Sequence, residues 1–182
     1  MRWASVRVGS IVMSGNRSIA ALGDKLMARV VYRNMNGRER IVAVHSVNTE
    51  AGAGGVRWYE FDVNRNRSLT LRQQSTYAPD SFYRWMASPA MDKQGNMLLG
   101  YSASSGTVRP GIRYTGRLAG AAAGTMQSEN TLVTGVGSQT SGLSRWGDYS
   151  AMNVDPVDDC TFWFTNEYLK ASGSFNWSTR IA

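Results

Sequence analysis

The chain has 182 residues, 42% hydrophobic and 18% charged, with six Trp, eight Tyr and nineteen Gly; this is the composition of one globular domain rich in tight turns, and it excludes a disordered segment. No apolar run approaches the roughly 18 residues of a membrane-spanning helix. A single histidine, His45, and a single cysteine, Cys160, exclude an internal disulfide, a cysteine-cluster metal site and clustered-histidine zinc chemistry, so neither metal nor cofactor is expected.

The net charge of +7 is uneven, because residues 1–83 carry twelve basic and six acidic side chains and the rest carry eight and seven. The arginines are dispersed through strand-like segments and form no Lys/Arg run, so nucleic acid is not an expected partner.

In chain order, residues 1–22 read as an N-terminal extension or the remnant of a preceding unit. Met1–Leu26 holds no continuous apolar stretch of export-signal length. Helical spacing is weak throughout except over Ser18–Met27, where a short helix would fit.

From there a strand-rich unit occurs three times. In the first (23–80), the turn Asn36-Gly37 precedes the run Ile41–Ser46, followed by Val56–Phe61. In the second (81–140), Arg84-Trp85 precedes the turn Asp92–Asn96, the run Met97–Ser102 and the run Ile112–Leu118. Both runs of the first unit match those of the second 56 residues on. In the third (141–182), Arg145-Trp146 stands 61 residues after Arg84-Trp85 and Asp155 stands 63 after Asp92. That last offset sets Leu98–Ser102 on Thr161–Thr165 and Ile112–Leu118 on Phe175–Ile181. Turn residues between β-branched or apolar runs mark hairpins.

The expected fold is therefore all-β: a single domain over 1–182 of about three propeller-type blades of antiparallel strands. A propeller closes with about four to eight blades. Three leave it partial or completed by an oligomer, such as a homodimer closing one ring. A β-sandwich or a solenoid of hairpins is the rival arrangement.

Several of these segments carry a resemblance. Arg84-Trp85-Met86, Asp92 with Gly95-Asn96, Gly100-Tyr101-Ser102, Tyr114–Arg117, and above all Ser144–Ser150 (SRWGDYS) and Asp155–Trp163 (DPVDDCTFW) resemble the C-terminal part of large bacterial proteins with sialidase-like, BNR-type propellers, often labelled exo-alpha-sialidase by similarity. The likeness spans roughly residues 23–182. It implies a secreted bacterial protein longer than this chain, in which a cysteine beyond Ala182 would pair with Cys160. Without that partner Cys160 is expected as a free, buried thiol. No complete arginine triad with a Tyr/Glu nucleophile pair matches position by position, so the sialidase activity does not carry over with the fold.

If the first strand of each blade runs along the central channel, the loop before it and the loop after the second strand open on one face. This selects Arg145, Trp146, Asp148 and Tyr149 with Asn166, Glu167 and Lys170. It also selects Arg84 and Trp85 with the 102–109 loop, and Asn48 and Glu50 with the glycine-rich loop 51–55. Two arginines with nearby carboxylates and aromatics could hold an acidic sugar or another carboxylate, giving Arg84, Trp85, Arg145, Trp146, Asp148 and Asn166 as ligand-binding candidates. Asp148 and Glu167, with Tyr149, are the catalytic candidates for a glycosidase. The structural alternative makes Arg145–Asp148 a loop-fixing ion pair and Trp146 and Tyr149 packing anchors between blades.

His45 falls in the slot filled by Tyr101 and, at the 63-residue offset, by Phe164, so it reads as a partly buried strand residue. The acidic turn of Asp155, Asp158 and Asp159 could offer oxygen ligands to calcium; the simpler reading is a turn capped by its own aspartates. Gly52, Gly54 and Gly55 lack the Gly-Lys-Ser/Thr of a phosphate loop. The expected function is a non-catalytic module for carbohydrate or protein ligands, and the alternative is a sialidase-like glycoside hydrolase using Asp148 and Glu167.

Overall fold

A computed structural model describes residues 11–13 and 17–19 as backbone, and 25–27, 30–50, 52–140 and 145–182 in full. Among these residues the chain is all β, with no helix. Ser18 and Ile19, part of the stretch that suited a short helix, are strand; residues 20–24 of that stretch lie outside the described set.

Two short strands, β1 (Ile11–Met13) and β2 (Arg17–Ile19), form an antiparallel hairpin. The remaining strands form three antiparallel sheets in chain order. The first holds β3 (Val31–Met35), β4 (Arg38–Asn48), β5 (Gly54–Val63) and β6 (Leu69–Tyr77). The second holds β7 (Tyr83–Met91), β8 (Met97–Ser104), β9 (Gly111–Arg117) and β10 (Asn130–Val133). The third holds β11 (Ala151–Val154), β12 (Phe162–Leu169) and β13 (Trp177–Ile181). In each sheet neighbours in space are neighbours in sequence, as short hairpin connections require.

The turns follow from their residues. Asn36 and Gly37 both have positive φ (53° and 85°), the pair of left-handed residues that a two-residue hairpin needs. In the second sheet Asp92 closes the turn with its side chain, Oδ1 accepting from the amides of Gln94 and Asn96 (2.8 Å each). In the third the closing bond runs from the Asp155 amide to the Thr161 carbonyl, where the second sheet uses Asp92 and Asn96.

That turn is two residues longer, so every position of β12 slides by two against β8. His45 and Tyr101 are equivalent, as expected. The third member of the set is Asn166, and Phe164 is equivalent to Leu99. Matching aspartate to aspartate cannot reveal a length change that occurs after them.

The sheets stack in order. β7 packs against β3, β4 and β5, and β11 packs against β7 and β8. One apolar core, including Val42, Val44, Val56 and Trp58 from the first sheet with Ala87, Met91, Leu99 and Tyr101 from the second, fills the first junction. A smaller one, with Ala90, Ile112, Met152 and Phe164, fills the second. The middle sheet is thus covered on both faces, and β7 is buried at every position after Tyr83, a continuous burial that alternating strands do not have. Gly100 is required there, because an added Cβ would lie 2.5 Å from the Phe164 ring.

β7 also carries a bulge between Trp85 and Ser88, with Met86 at φ 51°. A bulge leaves backbone groups unpaired; here serines from both neighbours take them. Ser46 Oγ accepts from the Met86 amide (3.4 Å) and Ser150 Oγ donates to its carbonyl (2.8 Å). The bulge is therefore the point where all three sheets meet.

Candidate functional site

Arg145, Trp146, Gly147, Asp148 and Tyr149 form the lead-in to β11, and Asn166 and Glu167 lie on β12. Trp146 is buried, and its indole N–H donates to Ser102 Oγ (3.3 Å). Asn166, also buried, donates to the same oxygen (3.1 Å) and accepts from the Glu167 amide (2.8 Å). Ser102 thereby ties β8 to both halves of the site and fixes where the lead-in turns. Gly147 has φ 73°, a Cβ there would lie 3.2 Å from the Met86 side chain, and its amide donates to Glu167 Oε1 (2.7 Å).

The outer layer is polar and open. Arg145 Nε donates to Asp148 Oδ2 (2.6 Å) with the Arg145 side chain 56% exposed. The other Asp148 oxygen is buried without a hydrogen-bond partner. Tyr149 is 93% exposed. Burial pushes the Glu167 carboxyl above the ordinary carboxylate range against the pull of the Gly147 hydrogen bond, and the charge of Asp148 adds to the rise. The structure thus brings Arg145, Asp148 and Tyr149 of the lead-in beside the partly buried Glu167 of β12. Arg84, Trp85, Trp146 and Asn166 sit beneath the surface and offer a ligand little or no area.

Arg84 belongs to a second cluster. Its guanidinium donates to both Asp80 oxygens (2.8 and 3.0 Å) and to Glu129 (2.6 Å from Nε), and it has no exposed surface. Tyr101 donates to Glu129 Oε2 (2.8 Å), and Arg113 donates to Oε1. Burial opposes charge on Glu129, yet the hydrogen bonds from Arg84, Arg113 and Tyr101 outweigh it and hold the carboxyl below its ordinary value. For Tyr101, burial first and then the Glu129 charge push the phenol well above its ordinary value. A phenol beside a carboxylate and two guanidiniums resembles an activated nucleophile. Tyr101 is wholly buried and held protonated, so in this arrangement the network closes the second sheet.

Sequence reading did not assemble Asp80, Tyr101, Arg113 and Glu129. Tyr101 and Arg113 are directly opposite across β8 and β9, a pairing that the hairpin length could have supplied. Glu129 precedes β10 in an irregular segment, and no local pattern marks it.

No family model, curated protein or solved structure matches this chain. The likeness to sialidase-like propeller proteins rests on the sequence motifs alone.

Three other candidates resolve structurally. His45 is half-buried, stacked on Tyr59 with ring centroids 5.7 Å apart and hydrogen-bonded to its hydroxyl at 3.0 Å. In the acidic turn, Asp158 accepts from the Cys160 and Thr161 amides and the Thr161 hydroxyl, which hold its pKa at about 2. Asp155 accepts from the Val157 amide and the Trp163 indole, and Asp159 pairs with Arg33. The turn is capped by its own aspartates, and among the described residues no group of three or more His, Cys, Asp or Glu is placed to hold a metal. Cys160 is a free thiol, but half-exposed where burial was expected, because it sits in this surface turn.

Proposed function

We propose that this chain is a non-catalytic, propeller-type binding module whose ligand is a carbohydrate, held at the lead-in to β11. The observation that carries the reading is Tyr149, an almost fully exposed aromatic ring beside the Arg145–Asp148 pair. An exposed ring offers an apolar face to a sugar ring. The guanidinium and carboxylates beside it supply donors and acceptors for hydroxyl groups. The propeller type is favoured by three meandering antiparallel sheets, the second and third each laying its first strand on the sheet before it. Placement in a larger secreted bacterial protein follows from the motif resemblance only.

Titration of the chain with a panel of neutral and acidic oligosaccharides, read by calorimetry, tests the reading. Binding that weakens about tenfold or more in both Tyr149→Ala and Asp148→Asn supports it. Binding that neither variant alters, or none across the panel, overturns it.

A glycoside hydrolase is the second reading, favoured by the raised pKa of Glu167 beside Asp148. A carboxyl whose pKa is raised next to an ion-paired carboxylate has the division of labour that glycoside hydrolysis uses. Turnover of a fluorogenic glycoside that disappears in both Asp148→Asn and Glu167→Gln supports this reading, and turnover that survives both refutes it.

A further inference from the structure

Among the described residues, five that are not glycine have a left-handed backbone: Asn36, Arg67, Met86, Asp159 and Phe175, with φ between 51° and 66°. That conformation is tolerated by asparagine and aspartate and is strained for a bulky side chain. Asn36 and Asp159 are of the tolerant kind. Arg67 sits in a hairpin turn closed by its own amide on the Asn64 carbonyl (2.8 Å), and Met86 is buried in the cluster of Trp85 and Trp146. Phe175 differs from all four, an aromatic residue at φ 56° with 69% of its surface exposed. Burial gains little from such a ring, and glycine or asparagine would hold the same backbone with less strain. Strained residues of this kind persist where their surroundings over-determine them, and they concentrate at ligand-contacting positions.

The loop between β12 and β13 that carries Phe175 is held from several sides. The Gly173 amide donates to the Ser138 carbonyl (3.1 Å), the Thr140 amide to the Gly173 carbonyl (3.0 Å) and the Ser138 amide to Ser172 Oγ (3.0 Å). Asn176 Nδ2 donates to the Ala171 carbonyl (3.1 Å), and a Cβ at Gly137 would lie 2.5 Å from Ala171. Trp177 meets the Phe175 ring T-shaped, with centroids 5.5 Å apart. The segment that braces this loop also reaches the lead-in to β11, because Gln139 Nε2 donates to the Arg145 carbonyl (3.3 Å). The two lie at one end of the third sheet: Ala151, where the lead-in enters β11, pairs with Thr165, and β12 runs on from there to Leu169 and the Phe175 loop.

We propose that Phe175 is a second aromatic platform of the lead-in site, and that the ligand is an oligosaccharide chain lying on both Tyr149 and Phe175. The inference rests on the carbohydrate reading of Tyr149. Pyranose units joined by equatorial β-1,4 bonds suit two such platforms, since their hydroxyl groups project sideways and their C–H groups face up and down. The electron-rich face of an aromatic ring attracts those C–H groups. A ring already fixed by its loop contributes contact area without losing side-chain freedom on binding. A chain seated on Tyr149 then meets Phe175 as an intramolecular event, a gain that a single sugar on Tyr149 does not have.

The test is calorimetry on the 182-residue chain with two length series, glucose to cellohexaose and N-acetylglucosamine to chitohexaose, beside Phe175→Asn and Phe175→Tyr. Asparagine removes the ring and tolerates the left-handed backbone, so circular dichroism should not change; tyrosine restores the ring. Wild-type affinity is expected to rise with length in at least one series. Phe175→Asn should weaken the longer oligomers by about tenfold and leave the shortest binding sugar unaltered, and Phe175→Tyr should behave as the wild type. Tyr149→Ala should weaken short and long sugars alike, which separates the two rings. A length gain that survives Phe175→Asn, or a loss that falls equally on short and long sugars, overturns the second platform while the Tyr149 site stands. Binding of neither series overturns it too, and the titration with neutral and acidic oligosaccharides then decides the carbohydrate reading on its own.

Discussion

The dipeptide Arg-Trp occurs at 84–85 and again at 145–146, and the two copies end in opposite states. Arg84 lies inside β7, fully buried, with Asp80 and Glu129 clamped around it. Arg145 lies in a lead-in segment, more than half exposed, and among the described residues its ion pair is with Asp148 three residues away. The tryptophans do not diverge, since Trp85 and Trp146 are both buried and share one apolar cluster. A neighbouring sheet decides the difference. Ser46 and Ser102 occupy equivalent positions on the first two sheets, each taking a hydrogen bond from the sheet that follows. The equivalent position on the third is Glu167, which accepts from Gly147 in its own sheet.

The largest effect should come from breaking the closed member of that comparison. Glu129→Ala leaves Arg84 buried with only Asp80, and losing one partner of a buried pair costs about 3–5 kcal/mol; urea unfolding followed by tryptophan fluorescence reads it. Gly100→Ala comes next, since the new methyl group must displace the Phe164 ring, at about 1–3 kcal/mol in the same assay.

Smaller, and opposite in sign, are two pH effects. Glu129 has a folded pKa below that of the unfolded chain. Its contribution is therefore complete above the free-glutamate value of about 4.3 and is lost as pH falls through the folded value. Glu167 has a folded pKa above that of the unfolded chain, so its contribution is present below the free-glutamate value and is lost as pH rises through the folded one. Thermal scans from pH 3 to 8 (about the carboxylate range and above) should find that Glu129→Gln flattens the acid limb. Glu167→Gln should raise the melting temperature near neutrality and leave it unchanged in acid. The smallest effect belongs to Arg145→Ala, for which no measurable change in unfolding midpoint is expected, because an exposed pair contributes little. A large loss there would erase the contrast between the two arginines.

The strand pattern was legible because its signals are local. Asn36-Gly37 and Asp92–Asn96 dictate their own turns, and the runs between them alternate or stay apolar according to how many faces are covered. The equivalence of β4 with β8 and of β5 with β9 at 56 residues held because no insertion falls between those strands. It slipped by two at β12, where Pro156–Cys160 replaces a three-residue turn centre. The candidate site was legible in part: Arg145, Asp148, Tyr149 and Glu167 do converge, while Arg84 does not join them. Its fate hangs on Glu129, 45 residues further on, and nothing near either residue announces the other.

By itself the sequence determined an all-β chain, its three-fold recurrence, its turns, and the self-capped aspartates of the acidic turn, since each of these depends on contacts within a few residues. Only the tertiary structure decided which arginine is buried, and which carboxyl has its pKa raised and which lowered. Those outcomes depend on desolvation and on partners brought from distant segments, and both exist only once the sheets have stacked.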